Sequence, residues 1–104
     1  MKTDSIALEP RYVEQLRALI KRAMAGTCGT VRLFGSRARG NPHKASDIDL
    51  AVQIPQDRAF IIGRLRELFE ESTIPFTVDV VDLNLCDEAL AREVEREGVT
   101  VWNG

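Results

Sequence analysis

The stretch 34–52, FGSRARGNPHKASDIDLAV, constrains this chain more than any other. It opens on Gly35-Ser36, crosses a basic loop and closes on Asp47-Ile48-Asp49, with ten residues between Ser36 and Asp47. Short apolar, β-branched runs flank the loop at residues 30–34 and 48–54, and both read as strands. Side chains alternate along a strand, so Asp47, Asp49 and Ala51 share one face while Ile48, Leu50 and Val52 point into a core. Two carboxylates this close repel unless a positive charge lies between them. Hard oxygen donors suit Mg²⁺, which keeps several waters and takes one or two carboxylates plus phosphate oxygens. The stretch therefore predicts a metal-dependent site for a phosphorylated nucleotide on one face of a sheet.

With 104 residues, 44% hydrophobic and 29% charged, the chain reads as a single globular domain spanning residues 1–104. A chain of this length holds one modest core. The net charge of −2 argues against a general nucleic-acid binder, so no direct nucleic-acid contact is expected. No apolar run approaches a membrane span or a signal peptide, which predicts a cytoplasmic protein without membrane contact. Cys28 and Cys86 show no CxxC spacing and read as reduced structural thiols.

The remaining elements follow from periodicity. A helix starting at Glu9 or Pro10 and stopping at Gly26 carries Val13, Leu16, Ile20 and Ala23 as one apolar stripe. Residues 36–39 form a short helical turn before Gly40-Asn41-Pro42 breaks the chain. Asp57 is placed to cap a helix running to about Glu71, with Phe60, Ile61, Leu65, Leu68 and Phe69 buried. Residues 76–83 make a third strand. Asn84 or Asp87 caps a last helix through Glu97, ended by Gly98, and residues 99–102 are extended and placed to add an edge strand. The first two strands are joined by a loop with little helix and need not be parallel. The expected class is α+β, a mixed sheet with helices mainly on one face, leaving the Asp47 and Asp49 face partly open.

Asp79 lies inside the third strand, flanked by Val78, Val80 and Val81. An unpartnered carboxylate there is costly to bury. It either caps or pairs at a strand end, or faces Asp47 and Asp49 from a neighbouring strand and completes a three-carboxylate cluster able to hold two Mg²⁺ ions. Asp82 falls on the opposite face. Gly35 lets a phosphate approach the backbone, Ser36 donates to it, and Arg37, Arg39 and Lys44 can neutralise its charge; without a GK[ST] sequence this is no P-loop. His43, Tyr12 and Trp102 read as loop or packing residues, with Trp102 also placed to anchor a partner.

These motifs, GSRARG, SDIDLAV and VDVVDL, resemble the minimal nucleotidyltransferases of the DNA polymerase β superfamily. Gly35, Ser36, Asp47, Asp49 and Asp79 fill that family's pattern without departure, over nearly the whole chain. The resemblance implies the polymerase β palm-like fold, ATP as substrate, Mg²⁺ and transfer of AMP to a hydroxyl with release of pyrophosphate. It implies that Asp47, Asp49 and Asp79 are the catalytic and metal-binding residues, and that Gly35 and Ser36, with Arg37 and Arg39 beside them, bind the nucleotide phosphates. It also implies the antitoxin half of a toxin–antitoxin pair whose helical HEPN-family partner is modified on a tyrosine. A chain this short is expected to draw much of its acceptor-binding surface from that partner. Two further readings stand beside this one. In one, the same chemistry acts on a small-molecule hydroxyl held by a helical substrate-binding partner. In the other, a non-catalytic module masks its partner. Three carboxylates on one face favour the catalytic readings.

Overall fold

Strands β1 (Thr30–Phe34) and β2 (Ile48–Gln53) lie antiparallel, with Leu33 opposite Leu50 and Phe34 opposite Asp49. The structure, a computed structural model, describes residues 7–40 and 47–104; the expectations for His43 and Lys44 lie outside the described residues. Helix α1 (Pro10–Met24) precedes β1, and the four-residue α2 (Ser36–Arg39) follows it. After β2 come α3 (Phe60–Glu70), β3 (Val78–Asp82), α4 (Glu88–Glu97) and β4 (Val99–Asn103). β3 runs parallel to β2, β4 runs antiparallel to β1, and the sheet order is β3-β2-β1-β4. The sheet is mixed, as expected, and the C-terminal tail is an edge strand.

The period of two sorts the sheet into two faces. Leu33, Leu50, Val52, Val80, Val99 and Val101 point to one side and are buried against α1 and α3. Pro10 starts α1 in its first turn, where its missing N–H costs nothing. Val13, Leu16, Ile20 and Ala23 then recur every three or four residues and bury one stripe. The other face carries Phe34 and Ala51, and α4 lies on that side: its Val94 packs between them, with Leu90, Val81 and Leu83 alongside. Two helices thus cover most of one face, leaving Val78 at its edge half-buried, and one helix covers part of the other.

Two local readings differ from the sequence expectation. Asp57 does not cap α3. Residues Gln56–Arg58 form a 3-10 turn, with Arg58 N donating to Pro55 O and Ala59 N to Gln56 O, so those amides are satisfied by backbone before α3 begins. Phe60 is not buried but 64% exposed. The stripe of α3 is Ile61, Ile62, Leu65 and Phe69, and Phe60 falls about 100° outside it. At α4 the alternative is decided: Asp87 Oδ1 accepts from Leu90 N at 2.8 Å, whereas Asn84 spends its amide on Ile54 O.

Truncating α3 tests this register. Leu65→Ala, at a wholly buried position, is expected to cost about 3 kcal/mol. Phe60→Ala is expected to change stability by less than about 0.5 kcal/mol. Urea unfolding of the two variants measures the difference, and equal losses would contradict the helix orientation.

Candidate functional site

The third acid sits beside the second. In the parallel pairing of β2 with β3, Asp49 and Asp79 are register partners. Registered residues of neighbouring strands point to the same face, so both carboxylates stand on the side away from α1 and α3. Asp47 lies one residue before β2 and shares that face by alternation; it and Asp79 are exposed, and Asp49 is half-buried. Two residues further along each strand, Ala51 and Val81 lie under α4. The acids therefore occupy the part of this face that lies beyond the α4 packing.

Gly35 forms the floor of the site. Its backbone has φ +80° and ψ −158°, a region that side chains disfavour. A β-carbon there would stand 2.5 Å from Asp49 Oδ2. Glycine is thus needed both for the turn out of β1 and for the close approach of the carboxylate. The turn leads directly into Ser36, the first residue of α2, where a helix's opening amides have no intrahelical acceptor. Gly35, Ser36, Asp47, Asp49 and Asp79 are brought to one corner of the sheet.

The charge balance at this corner is negative. Burial pushes the Asp49 carboxyl above the ordinary carboxylate range. Asp79, Asp47 and Glu93 push it further, and Arg39 opposes them. Glu93 lies on α4 and was not singled out in the sequence. Leu90 and Val94 give its helix a buried stripe, but only the packing of that stripe on Phe34 and Ala51 turns Glu93 toward the acids. Arg39 Nη1 lies 3.3 Å from Glu97 Oε2, one helical turn beyond Glu93. Arg37 takes a different place from the one expected. It is 5% exposed, donates from Nη1 to Ala7 O at 2.8 Å, and lays its guanidinium 4.3 Å from the centre of the Phe76 ring. Phe76 meets Tyr12 edge-on, so Arg37 belongs to a packed stack on the α1 side. Among the described residues, no three His, Cys, Asp or Glu side chains are drawn together closely enough to hold a metal ion. The donors that do share this corner are hard carboxylate oxygens with a surplus of negative charge, which is the chemistry a small divalent cation balances.

Residues 15–104 match the family described as "Polymerase beta, Nucleotidyltransferase". The chain belongs to this family. It is 41% identical over 69 residues to a probable protein adenylyltransferase MntA of Haemophilus influenzae, covering 65% of this chain and 60% of that protein. The chain spans from about half to three fifths of the curated relatives it matches. In fold it is similar to a chain of a toxin–antitoxin crystal structure with AMP-PNP, at TM-score 0.62 and 24% identity, covering 88% of this chain and 73% of that one. It is also similar to a chain of a tri-AMPylated Shewanella oneidensis HEPN toxin in complex with an MNT antitoxin, at TM-score 0.58 and 20% identity, covering 93% and 74%. The nucleotidyltransferase fold expected from the motifs is thus the fold found. No helix among the described residues is long and apolar enough to cross a membrane.

Two measurements test the corner. Gly35→Ala is expected to destabilise the protein by about 1–3 kcal/mol through backbone strain and the clash with Asp49. Part of that loss should return in an Asp49→Ala background, where only the strain remains. Asp49→Asn in EDTA at neutral pH is expected to melt above wild type. The folded-state pKa of Asp49 is raised, so its ionised form opposes folding at neutral pH, and the opposition fades as pH falls through that pKa. The stability gap between wild type and Asp49→Asn should therefore narrow in acid; a gap that widens would contradict the repulsion.

Proposed function

We propose that this nucleotidyltransferase-family chain transfers AMP from ATP to a hydroxyl, the tyrosine hydroxyl of a helical HEPN-family partner, and so acts as that partner's antitoxin. The observation that carries this reading is the in-register placement of Asp79 beside Asp49, next to the Gly35 turn. The protein adenylyltransferase relative and the toxin–antitoxin structures with AMP-PNP and with an AMPylated HEPN toxin support the choice of nucleotide and partner. In this reading residues 1–104 make one nucleotidyltransferase domain, acting in the cytoplasm, where ATP and Mg²⁺ are abundant.

Each residue has a role in this reading. Gly35 and Ser36 receive the β- and γ-phosphates, the glycine by leaving room and the serine by donating from backbone and hydroxyl. Asp47, Asp49 and Asp79 are the residues that would hold Mg²⁺, as two ions, with triphosphate oxygens completing a shell that the three side chains do not close by themselves. Bound there, Mg²⁺ would neutralise charge on the triphosphate and on the oxygens that enter and leave. The acceptor oxygen bonds to the α-phosphorus, the bond to the α–β bridging oxygen breaks, and pyrophosphate departs. Asp79, exposed on the outer strand, takes the hydroxyl proton in this reading. Arg39 stands close enough to weigh on Asp49 and neutralises part of the phosphate charge, while Arg37 holds the α2 turn in place from the core side. Catalysis then consists of positioning and charge compensation.

Incubation with radiolabelled ATP, Mg²⁺ and the HEPN-family partner should place label on a partner tyrosine. The Asp47→Asn, Asp49→Asn double variant should lose transfer by at least about a thousandfold while keeping its circular dichroism spectrum. Millimolar Mg²⁺ should raise the melting temperature of wild type and leave that variant unmoved, because only a cation bound to the folded state stabilises it. Undiminished transfer by the double variant would refute the site. Label on a small molecule would move the acceptor, and inhibition of the partner without label would leave only masking.

A further inference from the structure

A groove of about 630 Å³ runs along the outer edge of the sheet, and of the three acids Asp79 lines it. One wall is the C-terminal half of α3, with Arg66, Phe69 and Glu70; the other is the chain from residue 74 to 80, without a break. Consecutive strand residues point to opposite faces, so a groove lined by all of them meets β3 edge-on. Among the described residues, β3 pairs with β2 alone. Ile48 N donates to Thr77 O and Leu83 N donates to Val52 O, both at 2.9 Å. In a parallel pair these bonds alternate, so residues 77, 79, 81 and 83 turn their backbone groups to β2, and residues 78, 80 and 82 turn theirs outward. Arg66 Nη2 already donates to Val80 O at 2.8 Å, as that outward direction requires. The N–H and C=O of Val78 and the N–H of Val80 line the groove side.

We propose that this edge binds the acceptor: an extended protein segment pairs with the outward backbone of Val78 and Val80 and presents its hydroxyl-bearing side chain to Asp79. The inference rests on the AMP-transfer reading and says how the acceptor docks. Three features select this occupant. A row of alternating backbone donors and acceptors is matched by another extended chain, which gains affinity from main-chain bonds and specificity from alternate side chains. Asp79 lines the groove, so whatever fills it is adjacent to the acid that would take the hydroxyl proton. Its volume is that of a pocket for one large side chain with its flanking backbone. A segment paired at Val78 has its neighbouring side chain on the Asp79 face, because alternation carries across the new strand pair.

The test reads amide exchange of the isotope-labelled chain by NMR, with the HEPN-family partner, and with Mg-ATP alone. The partner should slow exchange at the Val78 and Val80 amides at least about tenfold, and Mg-ATP alone should not. Val78→Pro removes an outward N–H that β2 does not use, and Glu70→Trp fills the groove from α3 without touching the sheet. Both should raise the KM for the partner about tenfold and leave the KM for ATP within about twofold. Partner-dependent transfer with no protection on β3, or with both variants unimpaired, overturns the docking and leaves the transfer reading standing. Protection without transfer supports the docking and refutes the transfer. Slowed exchange at Val78 with Mg-ATP alone makes the groove a nucleotide pocket and overturns the proposal. Absence of both binding and transfer removes both readings.

Discussion

Two carboxylates side by side on adjoining parallel strands are an unfavourable arrangement, and the rest of this corner is shaped around it. Asp49 and Asp79 are register partners, and like charges directly across a strand pair destabilise it. A sheet tolerates this only where water or a cation screens the pair. The third strand is therefore at the edge, and the helix that crosses this face packs on Ala51 and Val81, two residues past the acids. The residual cost shows in the raised Asp49 carboxyl, pushed up first by burial and then by Asp79, Asp47 and Glu93. Gly35 adds to that burial by letting Asp49 lie against the backbone of β1's exit.

The same face thus does two jobs at successive positions of each strand. On β2 the order is Asp49 then Ala51; on β3 it is Asp79 then Val81. The first member of each pair meets solvent and the second meets α4. The packing of α4 sets the electrostatics, because Val94 and Leu90 fix the rotation that brings Glu93 to bear on Asp49 and sets Glu97 against Arg39. A helix that anchors an apolar half-face also delivers two acids to the rim of the charged half.

Much of this was legible in the sequence where a short period or a single residue type carries the information. Alternation in IDLAV and VDVVD assigns each acid its face without knowledge of strand order. Gly35 marks a turn, and Pro10 a helix start. What was not legible depended on a third dimension. Phe60 is apolar and near a helical stripe, yet the 3-10 turn before α3 sets the helix phase and leaves the ring outside. Asp57 is a good cap by type, but backbone bonds of that turn satisfy the amides it would have served. Arg37 and Arg39 look equivalent in SRAR, but they lie about 200° apart around a helix. One faces Phe76 and Ala7 in the core-side stack, the other faces Glu97 and the acids. For Glu93 a signal existed: Ala51, small and apolar on the acid face, requires a cover, and α4 with its Leu90 and Val94 stripe was left to provide it.

Strand order gives the acids different surroundings. Asp49 sits on an inner strand, half-buried against Gly35 and near Glu93, where charge is concentrated. Asp79 sits on the outer strand, exposed, with a groove at its side and outward backbone groups at Val78 and Val80. In the transfer reading, two reactants must converge from different directions. The triphosphate reaches the inner acids over the Gly35-Ser36 turn, and the acceptor reaches the outer acid from the sheet edge. Had β3 been an inner strand, the same three carboxylates could share a face, but a neighbouring strand would close the lateral approach along Val78. Placing the third acid on the boundary strand solves a geometric problem as well as an electrostatic one. It lowers the repulsion by exposing one partner of the pair, and it opens the side from which a second substrate can enter.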